Sequence, residues 1–259
     1  MKKIIFTILG VVLSVISQSS LANSKLLTPE GVKDILANGN DTQIKSMATE
    51  LNLVIPKRMT NGSTEDSVCD LFSADNIKIT YVALAVSQKS AVVQANSANC
   101  GFSYLVIFNE DQSHTWHHVT TLPLFAKTQM PVVQFEEMIS KGSHEIIVRD
   151  SQEDYGTGIQ QLDVVIFKMI GQEMRVVFNE PSKVVFSVPL NDKTNSDQEE
   201  TATFDFVDVK SNDESATALK EIQSKQVISD HKTNITRYWK YVWVPELRIF
   251  EKVSTLPSE

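Results

Sequence analysis

Apolar positions fall into three regimes along this chain. Between Ile4 and Ile16 they form an uncharged run of 13 residues behind Lys2 and Lys3. From Thr28 to Leu51 they recur at helical spacing. From Lys78 onward they come in short β-branched and aromatic clusters separated by Gly, Asn, Asp and Ser.

The second regime predicts two short amphipathic helices. Thr28 reads as an N-cap with Pro29 at the first helical position; Val32, Ile35 and Leu36 share a face, and Gly39 closes the helix. Asp41 or Thr42 then caps a second helix, in which Ile44, Met47, Ala48 and Leu51 repeat at i, i+3, i+4 and i+7 before Pro56. Stripes this narrow cover something else, so the pair reads as a lid on the following β structure.

After a polar loop at Met59–Ser67, the third regime predicts antiparallel strands. They fall at Lys78–Val86, Ala91–Ala95, Ser103–Phe108, Thr115–Leu122, Pro131–Glu136, Glu145–Arg149, Gln161–Met169, Met174–Phe178 and Lys183–Val188. Their connections are too short for the crossover helices of a parallel sheet. A mobile polar loop at Asn191–Glu200 precedes a strand at Thr203–Val209. A helix over Asp213–Ile228 and strands at Asn234–Val244 and Glu246–Val253 follow. The fold class is therefore α+β and β-dominated, with antiparallel meander sheets of sandwich or propeller type.

A possible repeat of about 50 residues sits inside this region. Ala91–Gln94, Tyr104–Phe108, Trp116–Val119 and Val132-Val133 are echoed by Glu145–Val148, Asp163–Phe167, Met174–Val177 and Val184-Val185. Three segments result: 1–22, a helical segment at 23–60, and a β-rich domain at 61–259.

The first regime identifies residues 1–22. A basic start, a 13-residue apolar core and the small residues ending at Ala22 form a secretory signal with cleavage after Ala22. The core is shorter than the roughly 20 residues a spanning helix needs. The expected location is the periplasm, with no stable membrane insertion.

Charge then narrows the partners. The chain holds 24 Lys and Arg against 32 Asp and Glu, a net of −8. Residues 1–22 contain two lysines and no acid, so the rest carries 22 bases against 32 acids, a net of −10. That surface repels phosphate backbones, which argues against nucleic acid and leaves a basic protein as the expected partner. The two cysteines, Cys69 and Cys100, read as one disulfide in an oxidising compartment, closing a loop worth about 3 kcal/mol.

Candidate chemistry is sparse. G-x-S-x-G, S-x-x-K, H-E-x-x-H, P-loop and G-x-G-x-x-G patterns are all missing. His114, His117 and His118 surround Trp116, but on a strand His114 and His118 stand about 13 Å apart, too far to share an ion. No metal and no cofactor are expected. The densest acidic loop is Asp150–Gly158, where Asp150, Glu153 and Asp154 flank Tyr155 in a pattern suited to protein contact. Trp239, Tyr241 and Trp243 alternate along one strand face and suit core packing, a partner interface or a glycan.

These features lead to an expectation of an exported binding protein without catalytic activity. Export, acidity and a single Cys pair are similar in style to inhibitors and immunity proteins that neutralise cationic envelope-acting enzymes or toxins. An envelope hydrolase with a dispersed active site and a glycan-binding envelope component are the alternatives.

Overall fold

The computed structural model describes residues 28–53, 57–60, 63–68, 74–97, 102–125, 131–154, 159–188, 196–209, 218–229 and 234–255. Residues 1–27, which include the expected secretory signal, and Cys69, Cys100 and Tyr155 lie outside the described residues.

The chain opens with helices α1 (Pro29–Asn38) and α2 (Asp41–Glu50). Thr28 caps α1 by accepting the Gly31 N–H. Asn40, one residue before the expected cap, closes a capping box with Gln43 at the start of α2. A two-stranded hairpin, β1 (Lys57–Thr60) and β2 (Ser63–Val68), occupies the stretch expected as a polar loop.

Two larger antiparallel sheets follow. One holds β3 (Ile77–Val82), β4 (Ser90–Ser97), β5 (Phe102–Glu110) and β6 (Trp116–Phe125), paired in chain order. The other pairs eight strands in chain order: β7 (Val132–Glu136), β8 (Glu145–Asp154), β9 (Ile159–Ile170), β10 (Glu173–Val188), β11 (Ser196–Asp208), β12 (Lys220–Ser229), β13 (Asn234–Val244) and β14 (Ile249–Thr255). The protein is thus α+β and β-rich, with neither sheet closed into a barrel.

Burial on both faces of the central strands explains the layering. On β5, Tyr104, Val106 and Phe108 pack with Val32, Leu36 and Met47 of the helices, while Leu105 and Ile107 face Ile146, Val148 and Phe167 of the larger sheet. On β8, Ile146 and Val148 join that inter-sheet core and Ile147 points to a third one. Strands hidden on both sides need unbroken apolar runs such as Tyr104–Phe108, because neither parity reaches water.

The third core forms because the eight-stranded sheet curls over itself. Phe178 on β10 and Tyr241 on β13 are three strands apart, about 14 Å in a flat sheet. Their rings meet edge-on at 5.1 Å. Phe178 also meets Phe204 of β11 at 5.5 Å, and Trp243 meets Phe250 of β14 at 5.5 Å. A bulge between Val176 and Phe178 lets the consecutive Val177 and Phe178 both enter this core while Val176 stays exposed.

Several expected elements take other forms. Residues 220–228 of the expected helix belong to strand β12 (Lys220–Ser229), because ladders with β11 and β13 on both sides outweigh a helical propensity of tenths of a kcal/mol. Ser196–Glu200, within the expected loop, belong to β11. Asp150–Asp154 extend β8 along β9 rather than forming a loop. The 50-residue repeat fails at its fourth strand: β7 leaves for the larger sheet, whereas Met174–Val177 and Val184-Val185 share the single strand β10.

One segment joins the layers. The Glu145 side chain is fully buried and accepts from the Met138 and Ile139 N–H groups at 2.8 and 3.3 Å and from Lys168 Nζ at 2.5 Å. The loop it secures reaches the smaller sheet, where His144 N and Ser143 Oγ donate to Ala83 O and Leu84 O at 2.8 and 3.1 Å. It reaches β12 as well, through Lys220 N to Met138 O at 2.8 Å.

Candidate functional site

The long β9–β10 hairpin has two ends, and each gathers polar groups that the sequence scatters. At its turn end, Gly171 takes a positive φ of 66° and Gln172 follows. Two turns of the smaller sheet arrive beside it, one joining β3 to β4 and carrying Gln88, the other joining β5 to β6. Together they enclose a cleft of about 330 Å³, whose wall runs from Asn109 to Asp111 and from His117 to Val119.

The β5–β6 turn is held by its first residue. Asp111 Oδ1 accepts from Ser113 Oγ at 2.6 Å, Ser113 N at 2.8 Å and Thr115 N at 2.9 Å, and Oδ2 accepts from His117 Nε2 at 2.8 Å. The Ser113 hydroxyl foremost, then His117 and the Thr115 N–H, hold the Asp111 carboxyl well below the usual carboxylate range. His114 closes the turn at φ 60°, a left-handed conformation. Next door, Lys89 foremost, at 2.8 Å, and then His114 keep Glu110 ionised below its ordinary range.

The three histidines therefore have separate duties. His117 orients toward Asp111, His114 leans on Glu110, and His118 lies edge-on to Phe108 with Nε2 at 3.0 Å from Thr121 Oγ1. Burial lowers the pKa of His118 and favours its neutral ring. Among the described residues no group of three metal-binding side chains converges. Nucleophilic chemistry is also badly served: Asp111 stands between Ser113 and His117, whereas an activated serine requires the histidine in the middle.

The floor of the cleft holds an imbalance. Asn109 is 6% exposed and its Oδ1 accepts from Ser90 Oγ at 2.7 Å. Its Nδ2 is buried and, among the described residues, has no hydrogen-bond partner. Such a donor costs about 1–3 kcal/mol.

At the opposite end, register collects carboxylates. Glu153 lies across from Gln161, Gln161 from Val184 and Val184 from Glu200, so residues 47 positions apart in sequence share one row of the sheet. The adjacent row runs from Asp154 through Gln160 and Val185 to Glu199. Glu180 and the buried Asp163 stand a few residues further along β10 and β9. Burial chiefly, with Asp163 and Glu200 adding repulsion, raises the Glu180 pKa, and Lys252 only partly opposes this. Lys183 pairs with Glu199 at 2.8 Å. Of the acidic residues singled out in sequence, Asp150, Glu153 and Asp154 come to this end, on strand rather than loop.

The aromatic row is mostly interior. Tyr241 and Trp243 are 3% and 8% exposed and belong to the third core, so packing accounts for both. Trp239 sits at its margin: its Nε1 donates to Gln226 Oε1 at 3.0 Å, Gln226 Nε2 donates to Glu200, and Lys252 Nζ lies 3.7 Å from its ring centroid. This chain of contacts joins Trp239 to the acidic end. Sequence reasoning missed Glu180, Glu200 and Asn109, which strand register and the meeting of turns bring into place. No protein-family model matches the chain, and a search of curated proteins finds no similar one.

Proposed function

We propose that this is an exported binding protein without catalytic chemistry, which engages a basic protein through the acidic end of the larger sheet. An inhibitor or immunity-type role toward a cationic envelope-acting enzyme or toxin fits that surface. The supporting observation is the row that sets Glu153 and Glu200 about 14 Å apart, with Asp154 and Glu199 in the row beside them. Burial foremost, with repulsion from Asp163 and Glu200 added, disfavours the ionised form of Glu180. A cation brought by a partner would relieve it and speed encounter.

The test is capture from periplasmic extract at low salt on the immobilised chain and on its Asp150→Asn, Glu153→Gln, Asp154→Asn variant. The reading expects a basic protein on the unaltered chain and its loss from the variant. Equal capture by both chains, or capture of none, overturns it.

A further inference from the structure

Beside the acidic rows, the inner face of the curled sheet holds a cation on two aromatic rings. Lys252 of β14 places Nζ 3.7 Å from the Trp239 ring centroid and 5.6 Å from that of Tyr241. The curl also brings β14 against β10, which carries Glu180, although the two strands are four apart in the sheet. We propose that the Trp239 face and the Glu180 carboxylate form a seat for an arginine side chain of the basic partner, and that Lys252 is its built-in competitor. The inference rests on the function proposed above, since the arginine belongs to that partner.

The resident lysine shows that a cation fits and that it is loosely held. Lys252 is exposed, and among the described residues its ammonium has neither a hydrogen bond nor an ion pair, only the ring contacts, which are weak at exposed positions. Glu180 is equally incomplete: it is half-buried and, among the described residues, has no hydrogen bond or ion pair. The charge of Lys252 reaches Glu180 but only partly opposes the burial that raises its pKa. Two opposite charges thus lie close enough to feel each other without pairing.

The choice of arginine follows from shape. An ammonium is a compact point charge, and here it serves the rings at the expense of the carboxylate. A guanidinium is planar, so it stacks on an indole while its N–H fork reaches a carboxylate in the ring's plane of approach. The indole is already oriented, because Trp239 Nε1 donates to Gln226 Oε1 at 3.0 Å and Gln226 in turn donates to Glu200. That ring therefore needs little ordering when a guest arrives. An anion would meet Glu180 and Glu200, and an apolar side chain would displace Lys252 without giving Glu180 a partner.

Two peptides of equal charge test the seat: acetylated, amidated triarginine and trilysine, titrated at low salt into the isotope-labelled chain and followed by NMR. The indole N–H signals report occupancy, and Trp239→Phe identifies the signal that belongs to Trp239. Triarginine should move that signal and bind about threefold or more tighter than trilysine. Lys252→Met should tighten triarginine about three- to tenfold, more than it tightens trilysine, and Glu180→Gln, which keeps side-chain size, should abolish the preference for arginine. Equal affinity for the two peptides, a Trp239 signal that triarginine leaves in place, no tightening in Lys252→Met, or a preference that survives Glu180→Gln would each overturn the proposal. Capture of a basic protein by the field of the acidic rows would persist through every one of these results, so the seat and the function it rests on fail separately.

Discussion

Glu145, held by Lys168 of β9, and Glu180, across from Val164 in the middle of the same strand, show how one sheet can hold a carboxylate in two ways. Glu145 is wholly buried, yet two backbone N–H groups and Lys168 satisfy it. Glu180 is only half-buried, but its neighbours include Asp163 and Glu200, and among the described residues no hydrogen bond or ion pair reaches its side chain. The first carboxylate fastens the fold. The second is held at a cost, which is a common condition of groups reserved for an outside partner. Val164, opposite Glu180, and Lys168, beside Glu145, are four residues apart along β9, roughly 13 Å, far enough for the two carboxylates to be altered independently.

The largest expected effect removes the fastened carboxylate. Glu145→Ala leaves Lys168 and two buried N–H groups unpaired, and should cost about 3–5 kcal/mol in urea unfolding. Glu180→Gln should instead leave stability at neutral pH unchanged or raise it, because the variant removes a disfavoured charge. If both substitutions destabilise alike, the contrast between the two carboxylates is wrong.

Close in size is Trp243→Ala, at about 3–5 kcal/mol, from the cavity it opens beside Phe250. Capture of a basic partner should persist wherever the variant stays folded. Loss of capture in a folded Trp243→Ala chain would return the aromatic row to the interface.

The cores were more legible in sequence than the sites. Unbroken apolar runs at Tyr104–Phe108, Ile146–Val148 and Val164–Phe167 mark strands hidden on both faces, and the Thr28–Pro29 signal marks the start of α1. Strand β12 was misread because Lys220, Glu221, Gln223, Lys225 and Gln226 are helix-forming residues, while only pairing with β11 and β13 makes them extended. Its one clear β signal is Ile222 and Ser224, both buried at a spacing of two. Ser196–Glu200 carry no apolar pattern, so nothing local marks them as strand. The cleft was hidden for a different reason: Gln88, Asn109 and Gln172 meet only because two sheets stack, a long-range event with no trace in local periodicity.

Acid separates the two ends in opposite directions. The folded chain holds a proton on Glu180 at higher pH than the unfolded chain does, so this group's contribution to stability falls as pH rises above about 4.5. Glu180→Gln should therefore stabilise at neutral pH, with the difference vanishing in more acidic buffer. Asp111 behaves inversely. Its pKa is depressed in the fold, so its stabilisation is present above about 3.8 and lost as pH falls below that value. Melting temperatures measured against pH should therefore depart from the unaltered chain at neutral pH in opposite directions, lower for Asp111→Asn and higher for Glu180→Gln, and both differences should shrink in acid. Parallel curves would mean that the two carboxylates share one environment.

The smallest effect on stability is expected where the effect on binding is largest. Asp150, Glu153 and Asp154 lie on β8 at the acidic end, and their neutralisation to Asn, Gln and Asn keeps side-chain size while removing three negative charges. Ladder pairing of β8 with β9 runs through backbone groups and is untouched. Unfolding free energy should move by less than about 0.5 kcal/mol. Association with a basic partner depends instead on the summed field, which three charges change substantially, so the on-rate should fall about tenfold at low salt and its salt dependence should flatten. Dissociation should change less, since steering acts before contacts form. Stopped-flow measurement at two ionic strengths distinguishes these responses. An unchanged on-rate would sever the acidic rows from recognition, and a change confined to dissociation would convert them from a steering field into direct contacts.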